Sequence, residues 1–134
     1  MEELIKSSTA NRLGIDNTPS KEIISNLTEL SILLQKIRDI YNKPIIITSG
    51  YRSTKLNKAV GGSKTSQHRL GQAADIRSVS DTKKDNQELF NIILGMMIQK
   101  DIEVGQLIDE YDYNWIHIST PHLKNNNQIL HIKK

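Results

Sequence analysis

The sequence predicts an α+β fold: one small domain with a central, mainly antiparallel sheet flanked by two long helices. Two long stretches carry apolar residues at helical spacing, and several short runs rich in β-branched residues lie between and after them. The last three of these runs, Val104 to Asp109, Asn114 to Ser119 and Gln128 to Ile132, follow one another with no helical pattern between them. That order favours α+β over a doubly wound α/β fold, in which strands and helices alternate. A length of 134 residues, without repeats or low-complexity segments, fits one domain spanning 1–134 with a core of its own.

The elements follow from local chemistry. The first long helix is expected to open at Asn17-Thr18-Pro19-Ser20, with Thr18 as N-cap and Pro19 at the first helical position. Its buried stripe is Ile23, Ile24, Leu27, Leu30, Leu34, Ile37 and Tyr41, and Asn42-Lys43-Pro44 ends it. Ile45-Ile46-Ile47-Thr48 reads as a buried strand. Ser53 to Val60 reads as a short helix before the loop Gly61 to Thr65. Ala73-Ala74-Asp75-Ile76 reads as a second strand, with Ala73 and Asp75 on one face and Ala74 and Ile76 on the other. The second long helix spans Thr82 to Lys100, with Leu89, Phe90, Ile93, Leu94 and Met97 toward the core.

Composition removes several function classes. No apolar run approaches the ~18 residues of a membrane span, and the first residues show no signal-peptide pattern. The expectation is therefore synthesis in the cytoplasm. There are no cysteines, so a metal would have to be held by nitrogen and oxygen ligands. The net charge of +3 is spread along the chain. Without a basic helix face and with few aromatic platforms, nucleic-acid binding is not expected.

The residues that could carry chemistry cluster around Ser66-Gln67-His68-Arg69-Leu70-Gly71-Gln72-Ala73-Ala74-Asp75. His68 in a loop can be a plain surface residue. Asp75 is less ordinary: in an apolar strand a bare carboxylate is costly to bury and needs a cation, either a nearby Lys or Arg or a metal. Gly71 lets the chain turn between the two. In Trp115-Ile116-His117-Ile118-Ser119, alternation puts His117 with Trp115 and away from the isoleucines, either on a solvated edge-strand face or toward a site. Two histidines and one aspartate make the three-ligand set of a catalytic zinc site, which leaves a position for water. His122 and His131 lack such context; His131 is expected near a frayed C-terminus. Arg52, just past a strand end, can be a surface arginine or can reach an oxyanion or carboxylate.

Together, S-x-H-x-x-G-x-A-x-D over Ser66 to Asp75, the arginine segment Ile47-Thr48-Ser49-Gly50-Tyr51-Arg52-Ser53 and the W-x-H of Trp115 to His117 resemble the zinc D-alanyl-D-alanine carboxypeptidases and related cell-wall endopeptidases. Gly14-Ile15-Asp16-Asn17-Thr18-Pro19 and Gln106-Leu107-Ile108-x-Glu110 fall in the order of a branch common in bacteriophages and prophages. The resemblance implies a hedgehog/DD-peptidase-like α+β domain with Zn2+ as cofactor. It implies His68, Asp75 and His117 as zinc ligands, Arg52 as stabiliser of the oxyanion or holder of a substrate carboxylate, and Ser66 and Tyr51 as substrate-binding residues. The implied partner is a peptidoglycan stem peptide, met by a monomer after release at lysis or with a virion.

The general base departs from the better-known branches. Where some members have a carboxylate three residues before the last histidine, this chain has Asn114; where others have a histidine two residues before it, this chain has Trp115. Glu110, matching the glutamate of Q-L-I-x-E, is the expected base, with Asp112 as alternative in what reads as a turn. A non-catalytic wall-peptide-binding module of the same fold is the alternative reading. A structural zinc domain would need a fourth protein ligand, for which only His122 or a carboxylate is on offer.

Overall fold

The computed structural model describes residues 1–121 and 126–133. The chain forms helices α1 (Glu2–Ile5), α2 (Ser8–Leu13), α3 (Lys21–Tyr41), α4 (Thr54–Ala59) and α5 (Lys83–Ile98). Strands β1 (Ile45–Ser49), β2 (Ala73–Ser78), β3 (Gln106–Glu110), β4 (Trp115–Ser119) and β5 (Gln128–Ile132) make one sheet in the order β1-β2-β4-β3-β5. A 3-10 helix, Gln67–Leu70, precedes β2. All neighbours are antiparallel except β3 and β5, which run parallel. The fold is thus α+β with a mostly antiparallel sheet, as the pattern of the last three strands predicts.

Both long helices lie on the same face of the sheet. Leu27, Leu30, Leu34 and Ile37 of α3 and Leu89, Phe90 and Ile93 of α5 share one buried cluster with Ala74, Ile76, Leu107, Ile116 and Ile118. Alternation along β2 and β4 does this, since one residue in two faces the helices. The α3 stripe departs from expectation at two positions. Ile24 is exposed and Leu33 is buried in its place, because a 3.6-residue period drifts off the line through Ile23 and Ile24. In α5, Met96 is buried and Met97 packs at the margin.

The start of α3 also differs. Its N-cap is Ser20, whose Oγ accepts the Ile23 N–H at 3.3 Å, and not Thr18. Thr18 instead donates its N–H to Asp16 Oδ1 at 2.9 Å, which closes a turn before the helix and leaves Pro19 outside it. At the far end Asn42 adopts a left-handed conformation and donates to the Arg38 carbonyl, ahead of Pro44. Ser53 and Thr82 cap α4 and α5 through their hydroxyls. The short helices α1 and α2 were not expected. Each is at most six residues, too short to show a period.

His131 does not fray. It lies in β5 opposite Asp109, and its imidazole meets the Asp109 carboxylate. Asp109 is buried on the helix-facing side of the sheet, so this contact supplies the hydrogen-bond partner that burial demands. His122 lies outside the described residues.

Gly71 links the 3-10 helix to β2 at φ +70°, a conformation that L residues adopt with strain. A Cβ there would also come within 3.0 Å of Ile23 Cγ2 and Leu27 Cγ. Gly71→Ala should therefore destabilise the domain by about 1–3 kcal/mol, read as a lower urea midpoint with an unchanged slope.

Candidate metal centre

Three elements deliver three donor atoms to one point on the open face of the sheet. Cross-strand register puts Asp75 of β2 directly opposite His117 of β4. The 3-10 helix and the left-handed Gly71 fold the preceding segment back, which brings His68 over β2. Asp75 Oδ1 lies 3.0 Å from His117 Nδ1 and 3.4 Å from His68 Nε2. All three ligand atoms lie within 4.8 Å of one another. The imidazoles meet edge to face, with centroids 5.3 Å apart.

The orientation of His68 is fixed from behind. Its Nδ1 lies 2.7 Å from the Gly50 carbonyl oxygen, which can only accept, so Nδ1 carries the hydrogen and Nε2 is free to ligate. His68 is 3 % exposed, and its own N–H is held by Ser66 Oγ at 3.2 Å. Gly50 in turn is pressed against α1. A Cβ there would lie 2.2 Å from the Leu4 carbonyl oxygen, the same oxygen that accepts the Tyr51 N–H at 2.6 Å.

Burial alone would raise the pKa of Asp75. The hydrogen bond from His117, together with the nearby His68, outweighs it and holds the carboxyl well below the usual carboxylate range. The site therefore keeps an anion between two imidazoles in a place that excludes most solvent. Those donors fit a divalent metal: two nitrogens and one oxygen, one histidine held in the ligating tautomer, and no thiolate.

Around this centre lies a cavity of about 400 Å³, lined among others by Arg52, Ser66, Ile108, Glu110 and Trp115. Glu110 is half-buried, and burial, ahead of the opposing pull of His117, raises its pKa. Asp112 is elsewhere: it is exposed in the turn after β3 and pairs with Lys83 at 3.2 Å. That turn holds Tyr111, Asp112 and Tyr113 at φ 51°, 58° and 64°. Asn86 of α5 steadies it by donating to the Tyr113 carbonyl at 2.8 Å.

Arg52 lines the cavity, with its backbone N–H on the His68 carbonyl at 2.9 Å. Burial lowers the pKa of its guanidinium and nearby Asp75 opposes that shift. Tyr51 is not brought to this cavity. It is 8 % exposed, packs into the core cluster and lines an adjoining cavity. Gln106 and Ile108 also line the site; the sequence motif that ends in Glu110 contains both but gave neither a site role. The signal was available, since alternation from Glu110 along β3 puts both on its face.

Asn17 was part of a sequence motif without a role. Its Nδ2 donates to the carbonyls of Ile5 (2.8 Å) and Tyr51 (3.0 Å), and its Oδ1 accepts the Ser53 N–H (2.8 Å). One buried amide thereby ties the N-terminal segment to the residues on either side of Arg52.

Metal content should be about one ion per chain by mass spectrometry of untagged protein, and should be lost in His68→Ala and in Asp75→Ala. Asn17→Ala should keep the metal but destabilise the chain by about 1–3 kcal/mol, because buried backbone groups lose their partners. Thermal melts of the metal-loaded variant check this.

Among the described residues, no helix is long and apolar enough to cross a membrane. No curated protein matches the chain. The family profile described as Peptidase M15 matches residues 1–119, which takes in His68, Asp75 and His117, the arginine segment and Glu110. The convergence of His68, Asp75 and His117 is compatible with the metal dependence of that family, and the chain belongs to peptidase family M15.

Proposed function

We propose that this chain is a zinc peptidase that hydrolyses peptidoglycan stem peptides, as a D-Ala–D-Ala carboxypeptidase or an L-Ala–D-Glu-type endopeptidase, acting as a monomer. The observation that carries the reading is one cavity holding His68, Asp75 and His117 together with Glu110 and Arg52. His68 Nε2, Asp75 Oδ1 and His117 Nδ1 would hold the zinc. Bound there, zinc supplies Lewis acidity toward water and toward the peptide carbonyl.

The chain's own groups divide the remaining work. Glu110 accepts a proton from the attacking water at its carboxylate and returns it to the leaving amine. In the metal-free chain burial raises the pKa of Glu110, which favours proton acceptance at this carboxylate. Arg52 stabilises negative charge developing on the carbonyl oxygen. The Ser66 hydroxyl, at the rim of the same cavity, holds the peptide backbone. Tyr51 would meet substrate only from the adjoining cavity.

Glu110→Gln should lower turnover of purified muropeptides by about 10²–10⁴-fold while zinc content stays at the wild-type level. In the wild type kcat/KM should show an acid limb that follows protonation of Glu110, because protonation removes the acceptor. Full turnover in Glu110→Gln would rule it out as the base. Retention of the zinc-loaded wild type on wall sacculi without any turnover would favour a binding module.

A further inference from the structure

Arg52 and Asp75 each line two cavities. On one side is the cavity of the metal centre, with Glu110. On the other is a cavity of about 260 Å³, walled by Lys6 and Ser7 between α1 and α2, by Ser8 and Thr9 at the start of α2, and by the chain from Thr48 to Arg52. The two sides share a wall and differ in charge. The first carries Glu110. The second carries Lys6 and Arg52 and, apart from Asp75, which faces the metal centre, no carboxylate.

Neither cation has a carboxylate within ion-pair distance among the described residues. The buried Nε of Arg52 has no hydrogen-bond partner there either. A half-buried guanidinium without an anion is a costly arrangement that an anionic ligand relieves. The hydroxyls sort in the same direction. Ser7 Oγ accepts the Ala10 N–H and Thr48 Oγ1 donates to the Asp75 carbonyl, so both are engaged. Ser8, Thr9 and Ser49 remain as donors beside Lys6.

We propose that this second cavity is a carboxylate subsite: Lys6, with the hydroxyls beside it, binds a free carboxylate of the peptide whose scissile bond lies at the metal centre, while Arg52 at the shared wall serves the reacting carbonyl. The inference rests on the wall-peptide reading above. A stem peptide offers such a carboxylate at its C-terminus or at the α-position of a γ-linked glutamate, and both present the same group to Lys6. The substrate would thus lie across Asp75, anionic end toward the N-terminal segment and the remainder toward Glu110 and Trp115.

The test is peptide binding to the zinc-loaded chain, read from the fluorescence of Trp115, the single tryptophan, which lines the metal cavity. Turnover is followed in the same samples. Three synthetic stem peptides are compared: the parent acid, its C-terminal amide, and the analogue with isoglutamine in place of isoglutamate. In the wild type one of the two amidations should weaken binding about tenfold, which identifies the carboxylate. Lys6→Gln, at an exposed position, should weaken binding of the parent by a similar factor and leave that amidated peptide unchanged. Parent binding as in wild type, equal weakening of acid and amide, indifference to both amidations, or no binding of any peptide would each overturn the subsite. Lys6-dependent binding without turnover would remove the proposed reaction and leave the subsite. Turnover without Lys6 dependence would do the reverse.

Discussion

Asp75 imposes the constraint on which the site depends. It stands in a strand whose neighbours Ala74 and Ile76 are fully buried, so its carboxylate has little solvent to stabilise it. An anion in such a place needs cations or strong donors close by. Two imidazoles fill that need, one delivered by cross-strand register and one by a short helix folded back through Gly71. The opposite side of the sheet solves the same problem differently: buried Asp109 takes His131 from the neighbouring strand. The Asp75 arrangement gathers three donor atoms around one point, whereas the Asp109 arrangement is a closed pair.

The scaffold around the centre is tied by backbone carbonyls more than by side-chain ion pairs. Gly50 contributes the oxygen that fixes the tautomer of His68, and Leu4 contributes the oxygen that holds Tyr51 in place. Asn17 spans the same region with three hydrogen bonds. A bulge in β1 between Ile47 and Ser49, opposite Asp75, turns the chain toward Arg52. Placement of the arginine thus depends on an N-terminal segment far from it in sequence.

Much of this was legible from residues alone. Period-2 alternation separated Asp75 from Ala74 and Ile76 in one strand and His117 from Ile116 and Ile118 in another, and the structure has both separations, with the two strands paired so that Asp75 faces His117. The turn at Tyr111 to Asn114 was also readable, and it is why Asp112 points to Lys83 while Glu110 stays in the cavity. What was not legible depends on contacts between distant segments. Nothing in a six-residue stretch such as Ser8–Leu13 marks it as a cavity wall. The role of Asn17 requires knowing that Ile5, Tyr51 and Ser53 converge on it. Capping by Ser20 in place of Thr18 was decided by the turn that Asp16 closes, a competition between two plausible caps that pattern alone does not resolve.

The parallel pairing of β5 with β3 changes how a ligand can approach. Without β5, β3 would be the sheet edge, with free N–H and C=O groups beside Glu110. With it, β2, β4 and β3 are each flanked by strands on both sides. An extended peptide therefore cannot join the sheet as an additional strand at the strands that bear Asp75, His117 and Glu110, a mode in which main-chain hydrogen bonds supply the affinity. It has to lie across the strands and be read by the side chains that project from them. Recognition of that kind tolerates D-configured residues and γ-linkages, which would break the regular hydrogen-bond spacing of a β-ladder.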